Sequence, residues 1–287
     1  RVELFYITSG TTLETQKETF NEALNDFVNN ATMYSSEYER EKYVNDYIIS
    51  NCVYDDEAAY NNNTKGNVST AYGVLVDGKA ICEGYARAFQ LLCNKLGIEC
   101  VSIAGMTGDV GHEWNCAKID GNWYQVDVTW NDSEDEFSNY YYFNLTDEQM
   151  YSSHRADDLF DEIEPDNYNN DENLIGNLYV PECNSTEYNY YNQTAPILYA
   201  FDEENDNTIS NALANSAVNG DNYFNIIVDD SLDFEDAYST LVQDGYVVNY
   251  IESANNMLWG EVELDTSSYA YKNDTLRVIT IVLNYIN

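Results

Sequence analysis

Two runs of alternating apolar and polar residues, His112–Ile119 and Asn122–Trp130, are separated by the dipeptide Asp120-Gly121. Such a pair accepts the positive φ angles of a tight reversal, so the two runs read as a β-hairpin. A turn centred there fixes the register. Ile119 faces Asn122, Trp114 faces Asp127 and His112 faces Thr129. Side chains alternate along each strand, so His112, Trp114 and Cys116 share one face with Gln125, Asp127 and Thr129. On that face Asp127 is the diagonal neighbour of His112. A slip of one residue would send Asp127 to the other side, so the pairing of a histidine with a carboxylate rests on this turn. Ala117, Ile119, Tyr124, Val126 and Val128 suit a core on the opposite face; Glu113 and Asn115 fall there without an evident reason.

Upstream, Cys82, Tyr85, Ala86, Phe89, Cys93 and Leu96 recur at helical spacing, and Gly97 stands where a helix would stop. Cys82 opens that helix. Unpaired N–H groups and the dipole at a helix start favour an anion, and a nearby imidazole would assist ionisation of a thiol. Cysteine, histidine and aspartate are the groups of acyl transfer by a sulfur nucleophile. Cys82 would attack an amide carbonyl, His112 would take and return the proton, and Asp127 would orient the ring. The Cys82 backbone N–H and a second donor would hold the oxyanion. Tyr72 is a candidate for that donor, and Trp114, beside the histidine, is a candidate substrate contact.

The runs GKAICEGYARAF around Cys82, HEWN at His112 and GNWYQVDVTW around Asp127, in that order, resemble the bacterial branch of the transglutaminase-like superfamily of papain-type folds. Cys52-Val53-Tyr54-Asp55 and Tyr141-Tyr142-Phe143-Asn144 are similar too, and the resemblance extends over about the first 160 residues. It implies an α+β core in which the helix carrying the cysteine packs on an antiparallel sheet carrying histidine and aspartate. It also implies thioester chemistry on a glutamine side chain or another amide, resolved by water or by a lysine amine. Many members place a small residue where this chain has Glu113. No calcium cluster of the kind found in animal members is evident.

Elsewhere, Val2–Thr8 reads as a strand, 12–30 and 35–50 as helices with Ser36 as a cap, and 51–65 as a loop. A turn of helix and a tight turn cover 68–78. Glu99–Ala104 reads as a short strand, 105–111 as a loop and Tyr140–Asn144 as a further strand; 146–158 starts helical and then loops. His154, in the polar run Ser152-Ser153-His154-Arg155, reads as exposed. A boundary near 161–173 divides a catalytic domain, 1–165, from a small α/β domain of unassigned role, 175–287. In the latter, 197–201, 223–228, 246–252 and 275–286 read as strands, and 208–218 and 233–244 as helices.

The chain carries 12 basic and 51 acidic residues, a net charge of −39. A surface this acidic repels nucleic-acid phosphates and anionic lipid, and it draws in cationic segments such as lysine-bearing peptides. There is no apolar run long enough to span a membrane. With Arg1 in place of a methionine, a secreted or cell-surface protein trimmed of its leader is expected. The substrate is expected to be protein or peptide, among them cell-wall or surface proteins. Six cysteines without a C-x-x-C pair, beside two histidines, argue against zinc, and no cofactor is expected. One disulfide could form; its partners are open. The rival readings are a non-catalytic surface binding or adhesion module that keeps the fold, and a structural protein in which the second domain dominates.

Overall fold

The computed structural model describes residues 9–61, 65–156, 180–260 and 262–286; the strand expected at Val2–Thr8 lies outside them. Two compact units, Arg1–Thr186 and Glu187–Asn287, divide the chain. The 165–175 boundary falls outside the described residues. Residues 181–186 pack with the first unit, where the Cys183 N–H donates to Asp147 Oδ2 at 3.1 Å and Tyr124 meets Ser185 Oγ at 2.9 Å.

The first unit opens with two helices, α1 (Gly10–Ala31) and α2 (Glu37–Asn51). Ser36 caps α2 in a reciprocal box with Glu39. The stretch expected as a loop holds a two-residue strand, β1 (Val53–Tyr54), and a short helix, α3 (Asp56–Tyr60), because Asp55 caps Ala58 N–H. A wide turn over Gly73–Asp77 ends at Gly78 in the left-handed region and leads into β2 (Lys79–Ala80), parallel to β1. The central helix α4 (Cys82–Lys95) buries Tyr85, Ala86, Phe89, Leu92 and Cys93. Burial of a large apolar side chain contributes about 1.5–3 kcal/mol each.

Helix α4 packs on a four-stranded antiparallel sheet in the order β5-β4-β3-β6. Strand β3 (Glu99–Thr107) runs three residues past the expected end, and β4 (Val110–Ile119) starts two residues early. The 105–111 loop therefore shrinks to a turn at Gly108-Asp109. The β4–β5 register matches the turn-centred expectation from Ile119↔Asn122 to Asn115↔Val126. There β5 (Asn122–Val126) stops, and Asp127 caps a short helix, α5 (Val128–Asn131). The expected pairings Trp114–Asp127 and His112–Thr129 are thus not made. Residues 140–144 form turns, with only Leu145 bridging Gln125. After α6 (Asp147–Met150), residues read as a loop form an edge strand, β6 (His154–Ala156), on β3.

The second unit holds α7 (Tyr190–Thr194), β7 (Ile197–Leu198), α8 (Glu203–Asn219), β8 (Tyr223–Val228), α9 (Phe234–Tyr238), α10 (Val247–Leu258), β9 (Ala270–Asn273) and β10 (Val278–Val282). Its sheet order is β7-β8-β10-β9, with β7 parallel to β8 and the rest antiparallel. The run at 246–252, expected as a strand, is the start of α10. Val247, Tyr250, Ile251, Ala254 and Leu258 share a buried helical face that extends past the window read as a strand. The long strand expected at 275–286 shortens to β10, hairpinned to β9.

Candidate active site

Cys82 occupies the first position of α4. The preceding Ile81 offers no side-chain cap; of the first-turn N–H groups, that of Gly84 donates to Ile81 O at 2.9 Å and that of Cys82 meets the Tyr54 hydroxyl. Gly84 lets this junction close: a Cβ there would lie 2.5 Å from Val68 O and 2.8 Å from Ala80 Cβ. All six cysteines are free thiols; five are buried and Cys82 alone is partly exposed. Cys116, on the histidine's strand, is buried 3.8 Å from Cys183 Sγ.

His112 projects from β4 toward both partners. Its Nε2 lies 2.7 Å from Asp127 Oδ2, and the ring is within hydrogen-bonding range of the Cys82 thiol. Burial disfavours the imidazolium, but the hydrogen bond and charge of Asp127, aided by Cys82, raise its pKa to about 10. Asp127, fully buried, arrives by capping α5: Oδ1 accepts from Thr129 N at 2.9 Å and Trp130 N at 3.2 Å. Its own N–H donates to Tyr142 O at 2.9 Å. Burial would raise this carboxyl, yet His112 and a second histidine hold it down at about 2.

That second histidine is His154. Its sequence context predicts exposure; it is buried at 3% exposure, with Nε2 3.0 Å from the same Asp127 Oδ2. Its polar neighbours in sequence concealed this, because the burial is supplied by distant rings. Trp130, Trp114 and Tyr142 lie 4.6, 5.1 and 5.6 Å from it, centroid to centroid. His112, Asp127 and His154 bring three ligand-type atoms within 4.8 Å of one another. Within the cluster both imidazole Nε2 atoms hydrogen-bond the Asp127 carboxylate.

Tyr54 was also missed. Its parallel pairing with Ala80 places its hydroxyl at the Cys82 backbone N–H, and burial together with the Cys82 charge raises that phenol to about 12. Tyr72, the expected donor, instead stacks on Phe20 and lines an open groove with Leu13 and Lys17. Trp114 is 1% exposed and gives its indole N–H to Gln125 Oε1 at 2.7 Å, so it packs beneath the imidazoles rather than facing a substrate. Asn115 gains its account: from inside the sheet it donates to Ala86 O of α4 at 3.0 Å. Glu113 bonds Ser102 on the neighbouring strand.

Residues 25–128 match the family model of the transglutaminase-like superfamily, a span that takes in Cys82, His112 and Asp127 and ends before His154. The first unit carries a transglutaminase-like core. Kyphoscoliosis peptidase of Mus musculus is 28% identical to this chain over 167 residues, covering 54% of the chain and 24% of that protein. Its Homo sapiens counterpart is 27% identical over 128 residues, covering 40% and 19%. The chain thus spans a quarter or less of the length of these relatives. A solved TGase structure overlaps 42% of this chain and 33% of its own at 21% identity, with a TM-score of 0.35. Among the described residues no helix is long and apolar enough to cross a membrane.

Proposed function

We propose that the transglutaminase-like core is a cysteine-dependent acyltransferase or amide hydrolase acting on protein or peptide amides through a thioester. The observation that carries this reading is the partly exposed Cys82 thiol at an uncapped helix start, facing an imidazole whose Nε2 is held 2.7 Å from a buried carboxylate. With Nε2–H committed to Asp127, the other ring nitrogen takes the thiol proton and holds it, because the ring's pKa is raised to about 10. The thiolate attacks the amide carbon. The oxyanion takes hydrogen bonds from the Cys82 backbone N–H and the Tyr54 hydroxyl, which lie against each other in the free protein and turn to the substrate oxygen on binding. His112 then protonates the departing ammonia or amine, and afterwards deprotonates the water or lysine amine that opens the thioester. The net charge of −39 favours cationic substrate segments, and surface or cell-wall proteins are the substrates we favour, with action outside the cell.

The test is to incubate secreted and surface proteins with the protein and with Cys82→Ala. Mass spectrometry then scores ammonia loss, crosslinks and cleavage. The reading requires at least one of these with the native chain and none with the variant. Identical products from both, or none from either across such a panel, would leave a binding module that keeps the fold.

A further inference from the structure

We infer that His154 is a positioning residue for this site: it holds the Asp127 carboxylate in the orientation and ionised state in which His112 uses it. The inference rests on the Cys82–His112–Asp127 reading for its chemistry, but on separate atoms for its geometry. Asp127 Oδ2 receives two Nε2 groups, from His112 at 2.7 Å and from His154 at 3.0 Å. Oδ1 is taken by the two backbone N–H groups of α5. An ionised carboxylate has only acceptors to offer, so His154 must carry its proton on Nε2.

The opposite edge of the ring shows how that tautomer is kept. Ser153 Oγ lies 2.8 Å from His154 Nδ1 and 3.4 Å from Met150 O, so the single hydroxyl proton goes to the nearer acceptor, the imidazole. Tyr142 is in turn within hydrogen-bonding range of Ser153. A line of donors thus runs into the carboxylate from a side the substrate does not reach, since the His154 side chain has no exposure. The titratable groups facing Asp127 are His112 from β4, His154 from β6, Tyr142, and Tyr54 from β1, with Cys82 beyond His112. His154 comes from an edge strand anchored at Gly105↔Ala156, where a Cβ on Gly105 would fall 2.6 Å from the Trp114 ring. Strand pairing, the indole and the second histidine are therefore one fitted unit behind the first histidine.

A buried carboxylate is kept ionised only by the bonds it receives. Without the His154 donor, Asp127 takes up a proton at higher pH, and His112 loses its counter-charge there. Glutamine at 154 can place an amide N–H where Nε2–H stands; leucine cannot. The measurements are the alkylation rate of Cys82 by iodoacetamide against pH, and the His112 Hε2 resonance in protein labelled with 15N-histidine. With two histidines in the chain, both rings are resolved. His154→Leu should move the acid limb of alkylation up by roughly one pH unit and weaken or broaden the His112 resonance. His154→Gln should restore both.

Lower thermal stability in His154→Leu, with limb and resonance as in the native chain, would reduce His154 to packing and overturn the inference. An ordinary thiol profile in the native chain, beside a His112 resonance that still depends on residue 154, would sink the nucleophile and leave the positioning role standing.

Discussion

Changing Asp127 to asparagine alters one atom of the cluster, and its consequence follows from hydrogen-bond direction. The side-chain oxygen can still cap Thr129 and Trp130, so the turn into α5 survives. The amide nitrogen then faces the Nε2 atoms of both histidines with donors in place of acceptors. His112 must carry its proton on the other nitrogen, the one that has to accept from Cys82. Asp127→Asn should therefore melt within a few degrees of the native chain and lose about 10³–10⁴-fold in turnover, or in Cys82 alkylation near neutral pH. Near-native rates in a folded variant would take Asp127 out of the mechanism. The neighbouring positions separate in the same way. Tyr54→Phe should leave alkylation unchanged but lower turnover about 10²-fold, because an oxyanion donor acts on the tetrahedral species and not on the thiol. An equal loss in both assays would place Tyr54 in Cys82 activation instead.

Helix α2 ties the site's supporting segments together. Its Glu37 accepts from Asp120 N at the hairpin turn, Asn45 accepts from Asn131, and Glu41 accepts from Asn144. Asn131 in turn fixes the N–H of Tyr142, whose carbonyl holds Asp127. Glu41 is wholly buried. Burial, only partly offset by the Asn144 hydrogen bond, raises its pKa from 4.5 to about 8. The folded chain holds this proton up to about pH 8, whereas the unfolded chain releases it above about 4.5, so stability falls as pH rises through that interval. Glu41→Gln removes the titration. Its stability relative to the native chain should improve by a few kcal/mol between pH 4.5 and 8, read from urea unfolding at both. A difference that does not change with pH would mean that Glu41 is ionised in place. None of this was legible beforehand, because Glu41 sits among polar neighbours and is buried by segments a hundred residues away. The hairpin register was legible, since Asp120-Gly121 and strict alternation are local signals. The end of β5 was not: Asp127 reads equally well as a strand residue or as a cap, and pairing with Tyr142 decides. His154 and β6 were hidden for the same reason, as a three-residue edge strand takes its stability from β3 and the aromatic box rather than from its own sequence.

Across the whole molecule, three effects among those that bear on stability stand out and share one sign. His112, raised from 6.5 to about 10 by Asp127 and Cys82 against the effect of burial, stabilises fully below 6.5, and that contribution is lost as pH rises through 10. Glu41 acts in the same direction at lower pH. The third effect is diffuse. A net charge of −39 is brought closer together by folding, so the compact state holds protons more tightly than the open chain and weakens as carboxylates ionise. Opposing them, Asp127 costs stability as pH falls below 3.8 toward 2, and the depressed carboxyls of Glu39, Asp55, Asp229 and Asp265 act in the same direction. Thermal stability should therefore peak on the acid side, near pH 4–5, and decline steadily to pH 9. Salt separates the contributions, because the screening length shrinks from about 30 Å at 0.01 M to about 3 Å at 1 M and buried pairs are hardly affected. Adding 0.5 M sodium chloride should raise the melting temperature clearly at pH 8 and little at pH 4.5, followed by calorimetry at both. Equal shifts at the two pH values would point to salting-out of apolar surface. No shift at either would mean that the surface carboxylates lie far enough apart to ignore one another, leaving the pH dependence to locally held groups such as Glu41, Glu113, Asp132 and the His112 cluster.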